Sequence, residues 1–149
     1  MATRQTQYTF DAAFELKDAG LVAASAAAQV DSSDQIIDTG STTAFMSGDV
    51  VIDVSAIEIA SNDEVYTLIL EGSTSATFAS DIEELAVLRL GANEVLTGGG
   101  DVDSDTGRYI LPFHLDRNGR RYRYLRMYTV VAGTVATGIN YIAYASKMR

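Results

Sequence analysis

The chain reads as an all-β protein, an antiparallel jelly roll or β-sandwich of about seven or eight strands. Three observations point there. Only one of its 149 residues is proline. Short runs rich in β-branched and aromatic residues recur along its length. Clusters of Gly, Asn, Asp and Ser, which tolerate the dihedrals of tight turns, separate those runs.

Taken in order, residues 1–18 form an N-terminal arm or a first strand, and 19–149 a single jelly-roll domain. This length suits one domain, which buries roughly 70% of its unfolded surface without needing a staple. LVAASAAAQV (21–30) is alanine-rich and helical on propensity alone. Gly20 opens it and no charged pairs support a helix, so strand is favoured. QIID (35–38) is the candidate eighth strand. The clearest strands are 49–60, 64–72, 107–115, 121–131 and 138–146, with LAVLRL (85–90) as a sixth. Before that sixth strand, SDIEELAV carries a capping signature, Ser80 with Glu83 three residues on, which predicts one helical turn. SGD, GSTS, GANE, TGGGDVDSDTG and DRNG read as turns. No internal repeat or long linker interrupts the pattern.

The chemical inventory points away from an enzyme. There is no cysteine, which excludes disulfides and thiol chemistry, and His114 is the one histidine. No G-x-S-x-G elbow is present, and His114 in PFHLD reads as an ordinary hydrogen-bonded strand residue. No carboxylate pair is marked as a glycosidase acid and base. Asp101, Asp103 and Asp105 resemble a calcium loop, but Thr106 stands where the turn glycine belongs and Pro112 where the bidentate glutamate belongs. The glycines before them make no phosphate cradle, because no Walker lysine follows. The expectation is no catalytic residue, no metal and no cofactor. MATRQTQYTF lacks a signal-peptide pattern, and no apolar run approaches a membrane span. No membrane partner is therefore expected, and the default is a soluble protein made in the cytoplasm.

Net charge is −9, unevenly spread. Residues 1–107 hold three basic residues against 19 acids, a balance of −16; residues 108–149 hold eight against one, a balance of +7. Such a split serves either an oriented interaction or two faces that attract each other within one fold. Five arginines fall in RNGRRYRYLRMY (117–128). Asn118-Gly119 is a strong two-residue hairpin signal. A full hairpin on that turn puts Tyr109, Leu111, Phe113 and Leu115 opposite Tyr128, Arg126, Tyr124 and Tyr122 on the core face. Ile110, Leu125 and Met127 then form an apolar outer face, a self-association surface for a dimer or trimer. Arg117, Arg120, Arg121 and Arg123 project from the tip as a docking site for an acidic partner. Arg126 is left stacked on a tyrosine or paired with a carboxylate. Nucleic acid is disfavoured, because stacking platforms need exposed aromatics and a net negative body repels a polyanion.

RYRYLRMYTVVAGTVATGINYIAYAS (121–146) resembles the C-terminal signature of tailed-phage capsid cement (decoration) proteins. There an arginine–tyrosine strand, a Gly-Thr turn and an I-N-Y strand close the domain; here these are Arg121–Tyr128, Gly133-Thr134 and Ile139-Asn140-Tyr141. AASAAAQV, QIIDTG, TLILEGSTSATFAS and the LRLG segment are similar in order and spacing, so the resemblance runs from about residue 19 to 146. VATG (135–138) stands where that group often has a proline–serine turn. The resemblance implies a jelly roll bound outside an icosahedral phage shell, bridging major capsid subunits against internal DNA pressure. It implies a virion location, the major capsid protein as partner, and no catalytic residues. The competing reading is a carbohydrate-binding jelly-roll module, which needs an exposed aromatic platform in a chain with no tryptophan. A jelly roll also alternates its last strands between sheets, so direct pairing of 107–115 with 121–131 is an alternative to that fold. The outward tip arginines are expected in either case.

Overall fold

The computed structural model describes residues 8–42, 45–98 and 102–147. After a 3-10 turn at Ala12–Phe14, the strands in order are β1 (Glu15–Lys17), β2 (Leu21–Val22), β3 (Ala26–Ala27), β4 (Gln29–Val30), β5 (Ser33–Asp34) and β6 (Ile37–Asp38). Longer ones follow: β7 (Ser47–Ile57), β8 (Val65–Ser73), β9 (Glu83–Gly91) and β10 (Gly107–His114). The short β11 (Asp116–Arg117) and β12 (Arg120–Arg121) precede β13 (Tyr124–Ala132) and β14 (Ile139–Lys147).

All pairing is antiparallel. One sheet has the order β1-β14-β7-β10, with β2 also on β14; the other has β3-β13-β8-β9, with β6 also on β13. Joining the broken edges β1/β2 and β3/β6 leaves eight strand positions in two four-position sheets, the arrangement of a jelly roll. The first two positions are fragmented, the first of them interrupted by residues 18–20 between β1 and β2. Asp31 and Ser32, both at positive φ (52° and 63°), also turn the chain sharply between β4 and β5. The alanine-rich segment is therefore extended, not helical.

Alternation along each strand builds the core. Val50, Ile52 and Val54 of β7 face Leu68 and Leu70 of β8 and Leu125 and Met127 of β13, all within one buried cluster. Each such aliphatic side chain contributes about 1.5–3 kcal/mol on burial. Two tyrosines enter the core with their hydroxyls satisfied. The Thr129 hydroxyl lies 2.6 Å from the Tyr141 hydroxyl, a hydrogen bond that ties the two sheets. Tyr66 donates to the Glu58 carbonyl at 2.9 Å.

One end of the sandwich is knitted by carboxylates. Glu64, fully buried, accepts from the backbone N–H groups of Ala60, Ser61 and Asp63 at 2.7–3.1 Å. One oxygen of Glu58 accepts from the N–H groups of Ala136, Thr137 and Gly138 at 2.7–2.9 Å, and these bonds hold its carboxyl below the usual range. That grip shapes the VATG turn. Gly138 sits at φ 88°, where a Cβ would lie 1.9 Å from the Val22 carbonyl oxygen.

Two local expectations are corrected. SDIEELAV makes no helical turn: Asp81 is at φ 52°, the Ser80 carbonyl accepts from Ser73 Oγ, and strand begins at Glu83. Pairing with β8 along its whole length outweighs one capping box. The short helix falls instead at Asn93–Leu96, starting within the stretch GANE (91–94) that reads as a turn.

Candidate functional site

The arginine hairpin is built on its turn. Asn118 (φ 54°) and Gly119 (φ 75°) are both left-handed, the condition for a type I′ turn, whose twist matches the flanking strands. The register is the expected one, Asp116 with Arg121 and Arg117 with Arg120, extended by a Tyr122 N–H to Leu115 carbonyl bond of 2.8 Å. There the ladder stops. β10 pairs with β7 and β13 with β8, in opposite sheets.

This corrects the facing list. Tyr122 and Arg123 lie between β12 and β13, and crossing them shifts the in–out alternation by one residue. Tyr122 is buried, and then Leu125 and Met127 point inward at 0% exposure. Neither can serve a self-association face; of that trio Ile110 alone is exposed, at 39%. Tyr124, Arg126 and Tyr128 stand on the outer face of the second sheet, not in the core.

Each hairpin arginine has an intramolecular partner. Arg117 reaches the Glu83 carboxylate (3.3 Å) and the Glu84 carbonyl, while Arg120 reaches Asp81 (3.1 Å). Arg123 grips Asp38 with two bonds of 2.6 and 2.8 Å. Those bonds, with the Gly40 N–H, pull the Asp38 carboxyl down to about 2. Arg121 turns inward and donates to the Gly40 carbonyl, Thr39 Oγ1 and the Phe45 carbonyl, with its Nε buried and unpartnered among the described residues. Arg126 has both expected partners: Glu71 at 2.7 Å, and the rings of Phe78 and Tyr128, centred 4.4 and 5.6 Å from its guanidinium carbon. Phe78 reaches it from a left-handed backbone (φ 53°).

The charge split is thus largely spent within the fold, because these carboxylates all belong to the acidic first part of the chain. What reaches solvent at the tip is Arg117 and Arg120, with side chains 51% and 55% exposed. Exposed pairs of this kind contribute about 1 kcal/mol or less each, so their guanidinium groups are free to change partners.

The other polar candidates, His114, Asp103 and Asp105, lie outside the ion pairs of the hairpin arginines. His114 is exposed at the end of β10. Asp103 accepts from the Asn93 N–H, Asp105 from the Thr106 N–H, and Asp101 lies outside the described residues. Among the described residues no group of three His, Asp or Glu side chains could hold a metal. A concavity of about 600 Å³ lined by Lys17, Asp18, Leu21 and Ala27 has a buried ammonium at its base. Lys17 Nζ donates to the carbonyls of Asp18, Gly20 and Tyr141, which uses all three of its protons. Burial lowers its pKa. On the outer face of the first sheet, Phe10 packs edge-on against Tyr144 with Arg108 over its ring. Arg108 is in turn held by Asp53, a pairing with no local sequence signal.

The chain matches no protein-family model and no curated protein.

Proposed function

We propose that this chain is a capsid cement (decoration) protein, a structural binder that sits outside a tailed-phage head and bridges major capsid subunits. The observation that supports the reading most is the strand order. The fold that the sequence resemblance implies is a jelly roll, and the chain has that order. The segment carrying the resemblance supplies β13 and β14, an inner strand of each sheet.

The hairpin end is the docking surface in this reading. Arg117 and Arg120 make the contacts, exchanging intramolecular carboxylates for those of the capsid. Arg121 and Arg123, anchored on Gly40, Thr39 and Asp38, set the direction of the tip. Because the exchange replaces one ion pair by another, binding weakens only modestly with salt. The test is co-sedimentation with undecorated heads of the phage that encodes the chain. Arg120→Glu should leave the fold intact, since exposed substitutions usually stay within about 0.5 kcal/mol. It should weaken binding about tenfold or more through like-charge contact. Wild-type protein that fails to sediment would overturn the function. Undiminished binding by Arg120→Glu would overturn the docking surface alone.

A further inference from the structure

Of the four sheet edges, three are blunted. The edges made by β1/β2 and β3/β6 consist of two- and three-residue pieces, and β10 carries Pro112, which offers no N–H. The fourth, β9, runs nine residues without proline, interrupted only by the bulge at Leu85. Exposed edges template further strands, and proteins commonly block those they do not use.

β9 is capped only at its ends. Arg117 covers the Glu84 carbonyl, and Ser104 bonds both the N–H and the carbonyl of Gly91. Gly91 therefore turns away from β8, and the alternation of an antiparallel strand puts the N–H and carbonyl groups of Arg89 and Val87 on the same outer side. The side chains there are also unspent. Val87 is 43% exposed. Arg89 is exposed and has no ion pair or hydrogen bond among the described residues, whereas Arg108, Arg117, Arg120, Arg123 and Arg126 each hold a carboxylate. The Glu84 carboxylate has no cationic partner there either.

We infer that β9 pairs antiparallel with β9 of a second copy, about a two-fold axis near Val87, joining the two second sheets into one. The register with β8 skips Leu85, since Leu70 faces Ala86 and Glu71 faces Glu84. That bulge puts Glu84, Val87 and Arg89 on one face. An antiparallel copy centred on Val87 brings Glu84 of each chain opposite Arg89 of the other, two equivalent ion pairs flanking a Val87–Val87 contact. Opposite charges facing across strands stabilise such a ladder, and a two-fold contact is closed, so it stops at a dimer. An acid at one end and a base at the other make this edge complementary to itself, not to a strand of a single charge. The inference does not rest on capsid docking, although Arg117 of the hairpin tip also caps the Glu84 carbonyl at one end of β9.

Sedimentation equilibrium tests it on the full chain. Wild type should run at twice 16.0 kDa at micromolar concentration. Arg89→Glu and Glu84→Arg, each folded by circular dichroism, should each weaken dimerisation about tenfold or more, because like charges then face each other twice. An equimolar mixture of the two variants should recover the dimer, since every contact then pairs opposite charges. A wild type that stays monomeric at high micromolar concentration would overturn the inference. So would an Arg89→Glu variant that dimerises like wild type, or a mixture that recovers nothing.

Discussion

Met127→Ala separates the two-sheet topology from a simple hairpin more sharply than any other single change. Met127 is fully buried, paired with Leu70 of β8 and packed in the inter-sheet cluster. Truncation removes three heavy atoms beyond Cβ, about 2.4 kcal/mol at roughly 0.8 kcal/mol per buried methylene-sized group. Incomplete collapse of the cavity raises the total to about 3 kcal/mol. For a domain of this size that is a Tm loss of about 6–12 °C. Ile110→Ala, on the outer face at 39% exposure, should cost only about 1 kcal/mol, because its side chain is never fully withdrawn from water. The assay is urea unfolding of both variants beside wild type, comparing midpoints at unchanged m-value. A Met127→Ala variant within about 0.5 kcal/mol of wild type would refute the assignment of β13 to the second sheet.

Two further outcomes follow from buried polar groups. Glu64→Ala leaves three backbone N–H groups without their acceptor and should destabilise the fold by about 3 kcal/mol, with Glu64→Gln milder because it keeps one acceptor oxygen; urea denaturation checks both. Tyr141, pushed up to about 12 by burial, stays neutral in the fold while an unfolded tyrosine ionises near 10. Its contribution is complete below pH 10 and fades as pH rises toward 12, by up to about 3 kcal/mol. Absorbance titration of tyrosinate should find Tyr141 among the last of the eight tyrosines to ionise, and Tyr141 titrating with the exposed ones would contradict its burial.

The sequence was most legible where the information is local. Asn118-Gly119 demands positive φ at both positions, so the turn and its first two pairs could be read directly. The long strands could be read too, because β-branched alternation survives any partner. What the strands pair with is non-local: nothing near 107–115 announces β7 as its neighbour. The alternation of 121–131 also slips at Tyr122-Arg123, where no Gly or Pro marks the change. That one-residue slip moved Leu125 and Met127 from surface to core. The arginines were legible as a cluster but not as a site, since their partners Asp38, Glu71, Asp81 and Glu83 lie some 34 to 85 residues away and meet them only through the sandwich. The more promising signal was quieter: Arg89 is the sole basic residue between Lys17 and Arg108.

On the proposed cement reading a tailed phage encodes this chain, and electron cryo-microscopy of that phage's heads tests the proposal most directly. The expected result is an eight-position jelly roll in the outermost density layer, over junctions between major capsid subunits, with the Asn118-Gly119 hairpin turned toward the shell. Purified heads that contain none of this chain, with a bare outer surface, would contradict it.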